Sequence, residues 1–172
     1  ALQKSKNMVT IRVLQSIGTN YAQEWSGHFG LDADKQPPYL PMALGAGSVT
    51  PLQMAVGYGV FANGGYLVKP NLVSKVVERG DKVLFESQPP VLDDSTRAIP
   101  ERNAFIMRTL LQSVIKNGTG ARAYQALRRD DIYGKTGTTN DSFDTWFAGF
   151  QPRRVGIVWI GYDTPRQLGV RG

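Results

Sequence analysis

The sequence predicts an α+β fold, an antiparallel sheet with helices packed on it. Three observations carry this. Residues 52–60 and 104–114 repeat apolar side chains at helical spacing between capping and stopping residues. The last third reads as three strands in succession, 131–139, 145–150 and 155–162. The links between these strands are only a few residues long, Gln151-Pro152-Arg153-Arg154 being one, and links that short join antiparallel neighbours.

In chain order, Met8, Ile11 and Leu14 predict a short helix from Met8 to Ile17, ended by Gly18. A second short helix is expected in "NYAQEWSGHF", residues 20–29. "KQPPYLPMALGAGS", residues 35–48, holds too much proline and glycine for regular structure and reads as a connecting loop. Thr50-Pro51 opens the next helix, with threonine as N-cap and proline in the first turn, where its missing N–H loses no helical bond. Leu52, Ala55, Val56, Gly59 and Val60 form its expected buried stripe, and Asn63-Gly64-Gly65 stops it. In residues 71–87, two alternating runs flank Arg79-Gly80-Asp81, a hairpin signal. Pro100-Glu101 begins the clearest helix. Its expected core face is Ala104, Met107, Leu110, Leu111 and Val114, and Asn117-Gly118 ends it. The final strand, "VGIVWIGY", is apolar at nearly every position and is expected to be covered on both faces.

Composition narrows the function. The 172 residues suffice for one domain or a large piece of one. No apolar run reaches the ~18 residues of a membrane span. "ALQKSKNMVT" lacks the parts of a secretory signal, so the protein is cytoplasmic or an exporting segment lies outside this chain. The absence of cysteine excludes disulfides and thiolate metal sites, and the single His28 excludes a multi-histidine cluster. His28 reads as a packing or helix-end residue, and no metal or cofactor is expected. Net charge is +6, concentrated after Pro100, where 11 Lys+Arg face 6 Asp+Glu. The arginines fall in scattered pairs, Arg128-Arg129 and Arg153-Arg154, and do not line a helix or alternate with aromatics. Nucleic acid is therefore not an expected partner.

Two motifs overlap at "GKTGTTND", residues 134–141. As a phosphate loop it fails twice: Arg129 stands where that loop needs its first glycine, and the residues after Thr136 have no helical period. A dinucleotide pattern, Gly57-x-Gly59-x-x-Ala62, falls inside a predicted helix with no strand before it. The other reading is K-T-G, Lys135-Thr136-Gly137. A strand-borne lysine there holds positive charge toward a substrate carboxylate, and the hydroxyls of Thr136 and Thr138 can donate to it. Gly137 removes a side chain where a backbone or ligand must approach. Ser5-Lys6-Asn7 supplies a looser S-x-N. Residues two apart share a side in extended backbone, so a loop just before the first helix would present both. The plainer alternative is that one of them caps that helix.

More than the triplets matches. "ALQKSKNMVTIRVLQSIG", "LGAGSVTPLQMAVGYGVFANGGYLVKP", "IMRTLLQSVIKNGTGARA" and "GKTGTTNDSFDTWFAGF" cover much of the chain in order. On these segments it resembles the transpeptidase domain of class A, bifunctional penicillin-binding proteins. The resemblance implies a serine that attacks the D-Ala-D-Ala end of peptidoglycan stem peptides, and β-lactams as ligands. It implies that Ser5 relays a proton to the leaving nitrogen while Lys135 sets the electrostatics around it. Asn7, Thr136, Gly137 and Thr138 would bind substrate, with the Thr138 N–H as half of an oxyanion hole.

The family places S-x-x-K before S-x-N, yet only four residues precede Ser5. The one S-x-x-K, Ser113 to Lys116, comes after it and ends a helix, where the dipole's negative end opposes an oxyanion. Lys116 also points off the apolar stripe. Residues 1–172 are thus expected to be the C-terminal part of one transpeptidase domain, incomplete at its N-terminus and inactive alone. By resemblance they lack the nucleophile, the first strands, a glycosyltransferase domain and a membrane anchor, and belong at the periplasmic face of the bacterial inner membrane. A serine β-lactamase-like hydrolase and a non-catalytic peptidoglycan-binding domain of the same fold are the alternatives.

Overall fold

The computed structural model describes residues 1–169. Helices α1 (Asn7–Ile17) and α2 (Thr19–Ser26) meet at Gly18, whose φ of 92° suits a residue without Cβ. Helix α3 (Pro51–Ala62) starts where the sequence places it, on a capping box. Thr50 Oγ1 accepts from Gln53 N at 3.1 Å and Gln53 Oε1 accepts from Thr50 N at 2.9 Å, so two orphan amides find partners. Strands β1 (Lys75–Val77) and β2 (Val83–Glu86) form the predicted hairpin, turning at Gly80 and Asp81 with φ of 98° and 64°. Helices α4 (Glu101–Asn117) and α5 (Ala121–Leu127) follow.

The chain closes with an antiparallel sheet ordered β3 (Tyr133–Thr138), β4 (Thr145–Gln151), β5 (Arg154–Ile160). Register pairs Thr136 with Phe147 and Ala148 with Ile157. Alternation sends Ala148 and Phe150 toward α3, where Phe150 meets Tyr58 edge-on at 6.5 Å. On the opposite face the Phe147 ring lies over Gly134 and Gly149. A Cβ on either would come within 2.9 or 2.8 Å of that ring, so both positions need glycine for packing.

The core lies between α3, the Ala98-Ile99 segment and α4. Val60, Ala98, Ile99 and Ala104 form one buried cluster with Phe29, Phe61 and Leu67 against it. Further along α4, Leu111, Val114 and Ile115 are buried, and each such aliphatic side chain contributes about 1.5–3 kcal/mol by leaving water.

Six expectations need correction. The final strand is not covered on both faces: Val158 and Ile160 are exposed and only the alternate positions are part-buried. It is an edge strand of this sheet, and its outer edge carries no strand partner among the described residues. On α4, Leu110 is exposed and Ile115 takes its place in the core. On α3, burial centres on Gly57 and Val60, while Leu52 is exposed. Met8 is exposed, and Leu14 is the buried residue of α1. Residues 35–48 are not wholly irregular, because short 3-10 turns form at Ala33–Lys35 and Leu40–Leu44, the latter tolerating Pro41 at its start. The second helix is likewise split, α2 being followed by a 3-10 turn at Gly27–Phe29, in which His28 stacks on Trp25 at 4.3 Å.

Candidate active site

The K-T-G triplet sits on β3, at the edge of its sheet. Thr139 N donates to Asp144 O at 3.1 Å, which fixes the parity of the β3–β4 ladder. In antiparallel pairing only alternate residues bond to the neighbouring strand. Odd-numbered β3 residues therefore bond to β4, and Thr136 and Thr138 present backbone N–H and C=O to the open edge. Beyond Thr136 the chain continues as strand, with no helix N-terminus to cradle phosphate. The dinucleotide pattern lies inside α3, where Gly57 lets the helix approach the Phe29 carbonyl: a Cβ there would lie 3.3 Å from that oxygen.

Ser5 ends a 3-10 turn at Leu2–Lys4 and adopts φ 50°, ψ 50°. A serine in that left-handed region costs about 1–3 kcal/mol, and its amide bond to Leu2 O at 3.1 Å helps hold it. The side chain of Ser5 is thereby aimed at β3, and Lys135 Nζ donates to Ser5 Oγ at 3.0 Å across 130 residues of sequence. The same ammonium donates to the open-edge carbonyl of Thr136 at 2.7 Å. Burial pushes Lys135 below the ordinary lysine value, because desolvation disfavours its charge. Asn7 departs from expectation: it is the first residue of α1, not part of a loop. Lys6 is the N-cap and no side chain bonds across it, so neither Ser5 nor Asn7 serves as the cap.

A third segment, absent from the motif reading, joins these two. After α4 the turn Gly118-Thr119-Gly120 passes between the Ser5 turn and β3. Thr119 N donates to Gln3 O at 3.3 Å, Lys4 Nζ donates to Asn117 O at 3.0 Å, and Thr136 Oγ1 bonds Thr119 Oγ1 at 2.8 Å. The signal in the sequence is the pair of glycines around Thr119. A Cβ on Gly118 would overlap the Gln3 carbonyl oxygen, and one on Gly120 would lie 2.7 Å from Ile115 Cδ1.

Gly137 behaves differently. It is exposed, and an added Cβ would meet only Trp146 Cβ at an ordinary 3.5 Å. Nothing in the packing of the described residues requires glycine there. A cleft of about 600 Å³ opens beside β3, lined by Met54, Tyr58, Lys135, Thr138, Trp146 and Trp159 among others. Burial pushes Tyr58 up to about 12. A larger groove, about 790 Å³, lies between α3 and the segment from Leu67 to Thr96 and contains none of the motif residues.

The S-x-x-K at the end of α4 is spoken for. Lys116 pairs with Asp130 at 2.7 Å, and that bond raises its pKa, the reverse of what a general base needs. Among the described residues no group of three or more His, Cys, Asp or Glu could hold a metal, and no helix is long and apolar enough to cross a membrane.

The chain is similar to known proteins over nearly its whole length. The family model described as "Penicillin binding protein transpeptidase domain" matches residues 1–167. Penicillin-binding protein 1A of Neisseria flavescens is 49% identical over 173 residues, covering 100% of this chain. Its counterpart in Pseudomonas aeruginosa is 38% identical over 217 residues, covering 99%. The chain spans only 22% and 26% of those relatives' own length. The crystal structure of penicillin-binding protein 1A from Haemophilus influenzae superposes with a TM-score of 0.90 at 34% identity, over 99% of this chain and 31% of that one. The D,D-transpeptidase domain of a peptidoglycan glycosyltransferase from Eggerthella lenta gives 0.76 at 25% identity, over 92% and 46%.

Proposed function

Since this chain belongs to the penicillin-binding protein transpeptidase domain family, we propose that it builds one wall of a D,D-transpeptidase centre that cross-links peptidoglycan stem peptides and binds β-lactams. The observation that carries this is the Lys135–Ser5 hydrogen bond beside a strand edge with no strand partner among the described residues. A serine from outside these 172 residues attacks the carbonyl carbon of the penultimate D-Ala. The developing oxyanion accepts a hydrogen bond from Thr138 N–H, which the ladder parity leaves free. As the peptide bond breaks, the proton released by the attacking serine is relayed through Ser5 to the nitrogen of the departing D-Ala. Lys135, charged and hydrogen-bonded to Ser5 Oγ, favours that transfer. Thr136 and Thr138 hold the terminal carboxylate and Asn7 the substrate's backbone amide. An acceptor amine then attacks the acyl-serine, closing the cross-link and releasing the enzyme. The protein works at the periplasmic face of the bacterial inner membrane.

The test is penicillin labelling followed by intact mass and peptide mapping. The full-length protein should carry one long-lived adduct on a serine outside this chain, and residues 1–172 alone should carry none. An adduct on Ser113, or no adduct on the full-length protein, would overturn the reading. Rapid loss of the adduct would instead assign a β-lactamase-like hydrolase.

A further inference from the structure

The Gly118-Thr119-Gly120 turn touches both halves of the site and has no role in the reaction as written above. We propose that Thr119 is a positioning residue for substrate binding. Its amide anchors the Ser5 turn through Gln3 O, and its hydroxyl orients the Thr136 hydroxyl toward the substrate's terminal carboxylate. This rests on the transpeptidase reading of the site.

The argument is one of proton supply. Each threonine hydroxyl has one proton to donate and two lone pairs to accept with. In the free protein Thr136 Oγ1 directs its proton to Thr119 Oγ1 at 2.8 Å. A carboxylate only accepts, so Thr136 can serve it only by turning its proton outward. The Thr136–Thr119 bond then survives only if Thr119 becomes the donor. The result is a chain running from Thr119 to Thr136 to carboxylate, in which each bond polarises the next. Without the Thr119 hydroxyl, Thr136 keeps its proton but loses the partner that fixes its rotamer. The two flanking glycines permit this placement, because a side chain at Gly118 would push away the Gln3 carbonyl that Thr119 N grips.

Thr119→Val keeps the shape and the amide and removes only the hydroxyl. In the full-length protein it should lower the second-order acylation constant for benzylpenicillin about fivefold, the size of one neutral hydrogen bond. It should leave acylation by benzylpenicillin methyl ester, which has no carboxylate, unchanged, and Thr119→Ser should restore the wild-type rate. In a Thr136→Val background, Thr119→Val should have no further effect. A Thr119→Val protein that labels like wild type, or that loses acid and ester acylation equally, would overturn the inference, as would full additivity with Thr136→Val. If wild-type protein takes up no penicillin at all, the transpeptidase reading falls and this inference with it.

Discussion

Replacing Gly118 by alanine tests how far the spacing of the three site segments sets the chemistry. The φ there, −117°, is on the side that L-residues adopt, so the effect expected is one of contact. The new methyl overlaps the Gln3 carbonyl oxygen and lies 2.8 Å from Val114 O and 2.9 Å from Val114 Cα. Val114 is fully buried in the last turns of α4 and cannot yield. The chain at Gln3 must instead retreat by about 1 Å to reach an ordinary contact distance. That movement breaks the Thr119 N to Gln3 O bond and carries Ser5 away from Lys135. Overpacking of this kind costs about 1–3 kcal/mol of stability. A displacement of about 1 Å at a reacting group can slow chemistry by about 100-fold. The assay is stopped-flow acylation of the full-length protein by a fluorescent penicillin, with a thermal melt of the same sample. Gly120→Ala is the control, since its methyl meets the movable end of Ile115, at 2.7 Å, and leaves the Ser5 turn alone. Gly118→Ala is expected to lose acylation far out of proportion to stability, and Gly120→Ala stability only. Equal acylation by Gly118→Ala and wild type would refute the idea that the turn sets the Ser5–Lys135 geometry.

Lys135→Ala should slow penicillin acylation about 10- to 100-fold, the equivalent of a hydrogen bond to a charged group, and unchanged labelling would remove Lys135 from the mechanism. Because burial lowers the Lys135 pKa, its ammonium is lost as pH rises through a value below 10.5. The alkaline limb of acylation should therefore fall early and move upward in Lys135→Arg, whose guanidinium stays charged, while an unmoved limb would contradict this. Tyr58 ionises near the ordinary tyrosine value of 10.0 when unfolded but at about 12 when folded. The folded protein then holds the extra proton between those values, so stability should drop by up to about 3 kcal/mol as pH climbs through that window. Urea melts of Tyr58→Phe should lack this slope, and its persistence would assign it to another group. Leu111→Ala, at a position 2% exposed, should destabilise by about 2–5 kcal/mol, read as a shift in urea midpoint without a change in slope.

What the sequence made legible was local. The Thr50 cap involves residues three apart, and the Gly80-Asp81 turn needs only its own φ preferences, so both appear in the string itself. The K-T-G and S-x-N triplets were readable for the same reason, and the structure places Lys135 Nζ 3.0 Å from Ser5 Oγ. Burial was less legible, because an apolar residue records what could be covered and not what covers it. Val158 and Ile160 are as apolar as any core residue, yet nothing described here lies over them. Leu110 and Ile115 are both compatible with one helical stripe, and only the position of β3 beside α4 decides between them. Thr119 was hidden for a further reason. Its partners, Gln3 and Thr136, lie on opposite sides of it in the sequence, and a lone threonine between glycines reads as a turn.

The separation of those partners also dictates when the site can exist. The Lys135–Ser5 bond closes a loop of 130 residues, whereas Thr136 and Thr119 are 17 apart. By chain-entropy scaling the longer closure costs about 2 kcal/mol more. Synthesis at about 5–20 residues per second puts roughly 6–26 s between the emergence of Ser5 and that of Lys135. Throughout that interval the first turn lacks its lysine, and for most of it the G-T-G turn that anchors it as well. A high-contact-order site of this kind is completed at the end of folding, so the appearance of penicillin labelling would report the last native contact to form.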